Sequence, residues 1–400
     1  VANPYRELFA APGAVAFTAA GIVARVAMPM VGIGLIAMLS QLRGDYLLAG
    51  AVSACFTLSM ALLGPRISRL VDRRGQSRIL LPATGISVAA LGALLLAAGY
   101  GAPAWLLFGL AIPSGCIPSM SALIRSRWTE ILAGSPRLHT AFSFESVVDE
   151  MTFVFGPALS VALCTILFPQ AGPLVAAVLL VIGGVLVTAQ RGTEPAVRAA
   201  NISDARVGSP SMIVLVLALV AGGTIVGTID VVSVAFAERQ GSPAAAGLVV
   251  SVYAFGSAVA GLVFGTLELR IPLPRLLLLG VTGTAITTVP LVLVSTIAGL
   301  AIAVFLAGVF FAPTMIVIMT LVEKCVPASA LTEGMTWAIT GLNVGVAAGA
   351  AATGLVVDLI GAGAGSYVAL GAGLCVVAIA AIGLPVLGNA VADSEATPSL

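Results

Sequence analysis

The sequence predicts an all-α integral membrane protein, with twelve transmembrane helices in two pseudo-symmetric six-helix bundles. Three observations predict this. Of the 400 residues, 60% are hydrophobic and only 9% are charged, whereas a soluble domain is about a quarter charged. The apolar residues fall into twelve runs, most near the roughly 20 residues that a bilayer-spanning helix needs. Finally, the two sets of six share residues at a nearly constant offset, as inverted or parallel repeats do in membrane proteins.

The first six runs lie near 13–39, 46–64, 79–99, 104–124, 140–168 and 174–189. The second six lie near 211–237, 244–265, 276–297, 299–321, 333–358 and 367–388. Short connections make neighbouring spans antiparallel. The longest polar stretch, Gln190–Pro210, divides the chain. It gives a bundle over 1–189, a cytoplasmic linker over 190–210, and a second bundle over 211–400 that ends in a short cytoplasmic tail. The start, VANPYRELF, is short and polar and the first run is long enough to span, so no cleavable signal is expected.

Basic residues orient the spans. With both termini inside, the inner loops hold Arg6, Arg66, Arg69, Arg73, Arg74, Arg78, Arg125, Arg127, Arg137, Arg191, Arg198, Arg206, Arg270, Arg275 and Lys324. These are 15 of the 18 basic residues. Arg43 and Arg239 fall outside, and Arg25 lies within a span. Tyr46, Tyr100, Trp105 and Tyr367 then mark the outer interface, where amphipathic rings are favoured. The abundance of Ala, Gly and Arg fits a bacterial genome rich in GC, and hence a bacterial cytoplasmic membrane.

The repeat is legible residue by residue. At an offset of 197, Gly64, Leu70, Arg73 and Arg78 match Gly261, Leu267, Arg270 and Arg275. At an offset of 195, Pro118-Ser119-Met120 matches Pro313-Thr314-Met315.

Several functions are excluded or disfavoured. No basic face exists for nucleic acid. His139 is the one histidine, so HExxH-type zinc chemistry is absent, and no metal site is expected. The five cysteines are scattered and without CxxC spacing, as isolated thiols used for packing would be. No Gly-rich phosphate loop with a Lys-Ser/Thr pair occurs, and no Ser/His or paired-Asp constellation marks an enzyme. No cofactor is expected.

Between the second and third runs lies GPRISRLVDRRGQSR, Gly64–Arg78, a basic island holding one acid, Asp72. Asp72 can form charge-assisted hydrogen bonds with guanidinium groups, and Gly75 permits a tight turn. This stretch resembles the loop 2–3 motif of the major facilitator superfamily at Gly64, Asp72, Arg73, Gly75 and Arg78, with wider spacing between Gly64 and Asp72. Its copy at Gly261–Arg275 has Leu269 where Asp72 stands. The resemblance implies the superfamily fold, alternating access about a central cavity, spans 1, 4, 7 and 10 lining it, and an inner gate latched by the motif. A second likeness is to the helix 5 motif of drug–proton antiporters, at Gly156-Pro157. The chain departs from that group in lacking an arginine within Trp105–Leu123.

Charges inside the spans are the candidate transport chemistry. Each costs about 2.5–3.5 kcal/mol at a helix centre, against −0.3 to −0.6 gained per large apolar residue, and such residues are functional suspects. Arg25 lies ~18 Å into the first span at 1.5 Å per residue. Glu145, Asp149 and Glu150 lie in the inner half of the fifth, with Glu145 and Asp149 on one face. Depth predicts that Arg25 pairs with Glu150 or Asp149. Asp230 lies in the outer third of the seventh span and, facing a cavity, would be a proton carrier. Asn343 stands opposite Glu150 in the repeat. Gly223-x-x-x-Gly227 and Gly345-x-x-x-Gly349 are close-packing faces.

The reading that follows is a monomeric secondary active transporter and not an enzyme. It exports a small amphipathic or drug-like compound in exchange for protons, with the lipid bilayer as its other partner. The alternative is uptake of a polar metabolite, an amino acid or small anion, with Arg25 anchoring its carboxylate.

Overall fold

The computed structural model describes residues 8–132, 135, 137–195, 209–265, 271–326 and 331–396. All regular elements among them are helical: α1 (Ala14–Arg43), α2 (Tyr46–Arg74), α3 (Gln76–Gly99), α4 (Ala104–Ser114), α5 (Met120–Ile131), α6 (Arg137–Ile166), α7 (Ala171–Ala189), α8 (Pro210–Arg239), α9 (Ala245–Gly265), α10 (Leu273–Leu293), α11 (Ile297–Cys325), α12 (Leu331–Ile360) and α13 (Ser366–Ala396). Eleven are long and apolar enough to cross a membrane. Each of the twelve expected runs coincides with helix over most of its length, the fourth in two pieces.

Helix ends follow local chemistry. Gly13 and Gly44 flank α1 with φ of 80° and 63°, a left-handed region that glycine enters without steric cost. Ser209 caps α8 by accepting from the Met212 amide, with Pro210 at the first position, where its missing N–H costs nothing. Thr296 caps α11 through the Gly299 amide in the same way.

Two expectations need correction. The fourth span is not one helix but two, α4 and α5, with Gly115–Ser119 between them. Pro118 has no amide to donate and pushes the residue before it out of the helical region. At this break a Cβ on Gly115 would lie 2.6 Å from the Met60 nitrogen, so α2 runs hard against it. The basic stretch after the second run is not a loop either. α2 continues through it to Arg74, and the chain turns only at Gly75, whose φ of 91° suits glycine.

The chain clusters into two compact units: Val1–Gly44 with Leu58–Asn201, and Asp45–Thr57 with Ile202–Leu400. In the first, α1 packs on α6 and α7, and α3 on α4 and α7. In the second, α8 packs on α12 and α13, α9 on α11, and α10 on α11 and α13. The second unit's core gathers Leu215, Leu219, Leu277, Val281, Ile318 and Leu321, all buried. Tyr100, Trp105 and Tyr367 are exposed, as amphipathic rings at an interface would be. Tyr46 is not: its hydroxyl donates to Glu238, and the Tyr46 and Leu47 amides at the start of α2 donate to the Asp358 carboxylate. A carboxylate there satisfies amides that the helix leaves unpaired and meets the positive end of its dipole.

Candidate functional site: a four-charge cluster on α1, α5 and α6

In the first unit, three of the charges within the spans meet Arg125, which the sequence places at the inner end. The Arg25 guanidinium on α1 places Nη1 2.6 Å from Glu145 Oε2 and 3.1 Å from Asp149 Oδ1, both on α6. Arg25 Nε donates back to the Gly21 carbonyl at 3.2 Å. Arg125, on α5, closes the cluster with Nη2 2.9 Å from Asp149 Oδ2. Two cations face two anions, so the cluster is neutral as drawn.

The helix registers explain why these groups meet. Glu145 and Asp149 are four apart and share a face of α6. Ser121, Arg125 and Trp128 are spaced four and three apart and share a face of α5. The two faces read each other antiparallel: Ser121 Oγ donates to Asp149 at 2.6 Å, Arg125 pairs with Asp149, and Trp128 Nε1 donates to Glu145 Oε1 at 2.7 Å. The Trp128 ring is held in turn by Phe17, 4.8 Å away edge-on, and by Phe9 at 6.1 Å.

The cluster is graded in exposure. Arg25 and Glu145 side chains are 3% and 0% accessible, Asp149 is 23% and Arg125 is 37%. Buried charges are tolerated only when paired and hydrogen-bonded, and Glu145 meets that condition with one cation and one indole N–H. Its 2.6 Å approach to Arg25 is an ion pair without good hydrogen-bond aim, and Arg25 Nη2 has no acceptor.

Sequence depth offered Glu150 or Asp149 as the partner of Arg25, and the structure pairs Arg25 with Asp149. It does not pair Arg25 with Glu150, which is half-buried one position further round α6. A one-residue step turns a side chain by about 100°, which takes Glu150 off the face that α1 and α5 share. Arg125, Ser121 and Trp128 were missed as site residues. The i, i+4, i+7 spacing of those three was the available signal.

The remaining candidates lie elsewhere. Asp230, on α8, is half-buried and takes no hydrogen bond or ion pair among the described residues. Asn343, on α12, is half-buried. Of the basic-stretch residues, Arg73 and Arg78 are exposed, the Asp72 side chain lies outside the described residues, and a Cβ on Gly64 would meet open space. Arg270 and Leu269 in the repeat copy also lie outside the described residues. Gly156 marks a close approach: a Cβ there would lie 2.7 Å from Pro29 Cγ of α1. Pro157 is buried beside it. One turn on, Ser160 Oγ donates to the Met30 carbonyl at 2.7 Å.

Arg127, assigned by sequence to an inner loop, lies on α5 and is fully buried. It donates to Gln76 Oε1, the Gln190 carbonyl, Thr193 Oγ1 and the Val187 carbonyl at 2.7–3.0 Å. A cation at the last carbonyls of α7 also meets the negative end of that helix. Glu194 follows on and accepts from the Ser77 amide at 2.9 Å, at the start of α3. Among the described residues no group of three or more His, Cys, Asp or Glu is placed to hold a metal ion.

The family model described as the Major Facilitator Superfamily matches residues 212–396. Solved structures extend the likeness across the chain. The peptide transporter POT in complex with sulfate superposes with a TM-score of 0.73 at 15% identity, covering 94% of this chain and 95% of that one. The nucleoside transporter NupG gives 0.71 at 13%, covering 94% and 99%. A bacterial homologue of the iron transporter ferroportin, in an inward-facing state, gives 0.70 at 17%, covering 92% and 98%. No curated protein sequence matches. The fold is that of the major facilitator superfamily.

Proposed function

We propose that this protein is a secondary active transporter that works by alternating access and exchanges protons for a small amphipathic or drug-like compound, exporting it. It acts as a monomer in a bacterial cytoplasmic membrane with both termini inside, an orientation supported by the distribution of its basic residues. Similarity to transporters with three chemically different cargoes supports transport as the activity and leaves the cargo open.

The observation that carries proton coupling is the cluster of Arg25, Glu145 and Asp149, within the first and fifth spans, with Arg125 at its more exposed end. Charges within spans are expensive to keep, and a purely structural contact between α1 and α6 would be made more cheaply by packing, as Gly156 on Pro29 already does. Asp230, half-buried and without a cation, is the second candidate carrier. The alternative of uptake with Arg25 as a carboxylate anchor is less well supported. Arg25 is buried and already engaged by two carboxylates, which a substrate would have to displace. The latch formed by Asp72 and Arg73, with Gly75 at the turn and Gly64 and Arg78 on the flanking helices, is proposed as the inner gate.

The test is reconstitution. A thermal-shift screen over drugs, sugars and amino acids identifies a ligand, since a ligand that binds only the folded state raises the melting temperature. In proteoliposomes that ligand is then expected to move against an imposed pH gradient, with proton flux in the opposite sense. Flux of both in the same direction would replace export by uptake. In Asp230→Asn the pH dependence of transport is expected to shift, and an unshifted profile removes Asp230 from the coupling path.

A further inference from the structure

We propose that the coupling proton is taken up at Asp149 Oδ2, that Arg125 is its displaceable counterion, and that Arg25, Glu145 and Trp128 form a fixed anchor deeper in the same cluster. This rests on the proton-coupled reading above and assigns its atoms.

The two acids share a helix face and differ in everything else. Glu145 is sealed: Oε1 accepts from Trp128, Oε2 faces Arg25, and none of the side chain reaches solvent. Neutralising it would leave the indole N–H and a buried guanidinium short of their charged partner. Asp149 is partly open. Its Oδ1 is held from two sides, by Arg25 and by Ser121. Among the described residues its Oδ2 meets Arg125 alone. Of the four carboxylate oxygens, Oδ2 is the one whose partner sits on a side chain more than a third exposed. Protonation there breaks one ion pair, and the released cation has water to turn to.

The step balances simply. A proton from water adds to Oδ2, the contact between Arg125 Nη2 and Oδ2 breaks, and Arg125 keeps its charge. The cluster passes from neutral to a single positive charge, and Arg25 remains compensated by Glu145. The groups facing Asp149 are Arg25 from α1, Arg125 from α5, and Glu145 and Glu150 from α6. Arg125 matters mechanically as well. It lies on α5, just past the break at Gly115–Ser119, and is the middle of the three contacts that hold α5 on α6. Losing it removes the middle contact, while Ser121 stays on Asp149 Oδ1 and Trp128 stays fastened to Glu145. Arg125 and Ser121 are positioning residues in this scheme, acting through Asp149.

The experiment is infrared difference spectroscopy on the full-length protein in lipid nanodiscs, from mildly alkaline to mildly acidic buffer, with protons as the only ligand. A protonated-carboxyl C=O band is expected in the native protein, lost in Asp149→Asn and kept in Glu150→Gln. Arg125→Gln is expected to raise its midpoint by about one pH unit or more, because an adjacent cation favours the ionised carboxylate by that much, and Arg125→Lys to restore it. A band that survives in Asp149→Asn, or that ignores Arg125→Gln, overturns the assignment. Because Asp149→Asn can fail to fold, Trp128 supplies a second reading with the native Asp149 in place. With Trp105 and Trp337 replaced by Phe, Trp128 emission is expected to stay constant across the titration, because Glu145 stays ionised. An emission change that follows the carboxyl band makes Glu145 the proton site and overturns the proposal. Proteoliposome flux separates the two levels. An Asp149 band without any transport driven by a pH gradient defeats proton coupling alone, and gradient-driven transport with the band elsewhere defeats this assignment alone.

Discussion

Two helix crossings occupy equivalent places in the repeat and are built in opposite ways. α1 and α8 are each 30 residues, as are α6 and α12. Position 12 is Arg25 in α1 and Ala221 in α8. Positions 9 and 13 are Glu145 and Asp149 in α6, and Ile339 and Asn343 in α12. By this register Asn343 is the counterpart of Asp149, one place from the pairing with Glu150 expected at first. Where α1 meets α6 the crossing is charged. Where α8 meets α12 it is made of glycine. Gly223 and Gly227 lie against the Leu342 and Val346 carbonyls, Gly345 and Gly349 lie against the Val220 and Thr224 carbonyls, and each would clash if given a Cβ. In lipid such backbone contact supplies dispersion with no desolvation cost, so the glycine crossing is the less costly solution. That one copy of the crossing bears three charges instead, Arg25, Glu145 and Asp149, is the best reason to read those charges as functional.

The comparison breaks most sharply at Arg25. Arg25→Leu leaves Glu145 ionised and buried with one hydrogen bond and no cation. Breaking a buried pair in this way costs about 3–5 kcal/mol. Unfolding in mixed detergent should show a loss of that order, and Arg25→Leu combined with Glu145→Leu should recover most of it, because apolar replacement of a whole buried pair is often neutral. An unchanged single variant would mean the charges do not hold the crossing.

The glycine crossing is tested at Gly227. A Cβ there meets the Val346 carbonyl, which is backbone and cannot rotate away. Gly227→Ala should therefore destabilise by about 1–3 kcal/mol, as overpacking does. Gly222, on the same helix, has nothing within 4 Å of an added Cβ. Gly222→Ala should leave stability unchanged or raise it by up to about 1 kcal/mol through helix propensity. Equal melting shifts in the two variants would remove the packing argument.

What could be read from the sequence follows the same physical divide. The spans were legible because hydrocarbon demands long apolar runs whatever the tertiary fold. Arg25 was legible because a charge in such a run is costly wherever its partner lies. Its partners were only half legible. Depth along a helix is a property of sequence, so Asp149 could be matched, whereas the choice of Glu145 over Glu150 depends on how α6 is turned toward α1 and α5. The burial of Arg127 was not legible for a related reason. Its sequence position gives only the inner end, and it is the packing of α3 and α7 that encloses it. The break in span 4 was missed because the apolar residues on either side, with Cys116 and Ile117 between them, read as one run, although the prolines themselves were visible.

The smallest expected effect concerns the exposed end of the charged crossing. Arg125 and Asp149 make a good 2.9 Å pair, but both reach solvent, and exposed pairs contribute about 0–1 kcal/mol. Arg125→Gln should thus melt close to the native protein, unlike Arg25→Leu, although the two arginines share Asp149. The contrast has a structural basis beyond exposure. Removing Arg125 leaves Asp149 with Arg25 and Ser121, and removing Arg25 leaves Glu145 with no cation at all. Detergent unfolding of the two variants side by side measures it. If Arg125→Gln loses as much as Arg25→Leu, the cluster acts as one rigid unit, and the division into a fixed deep pair and an open outer pair fails.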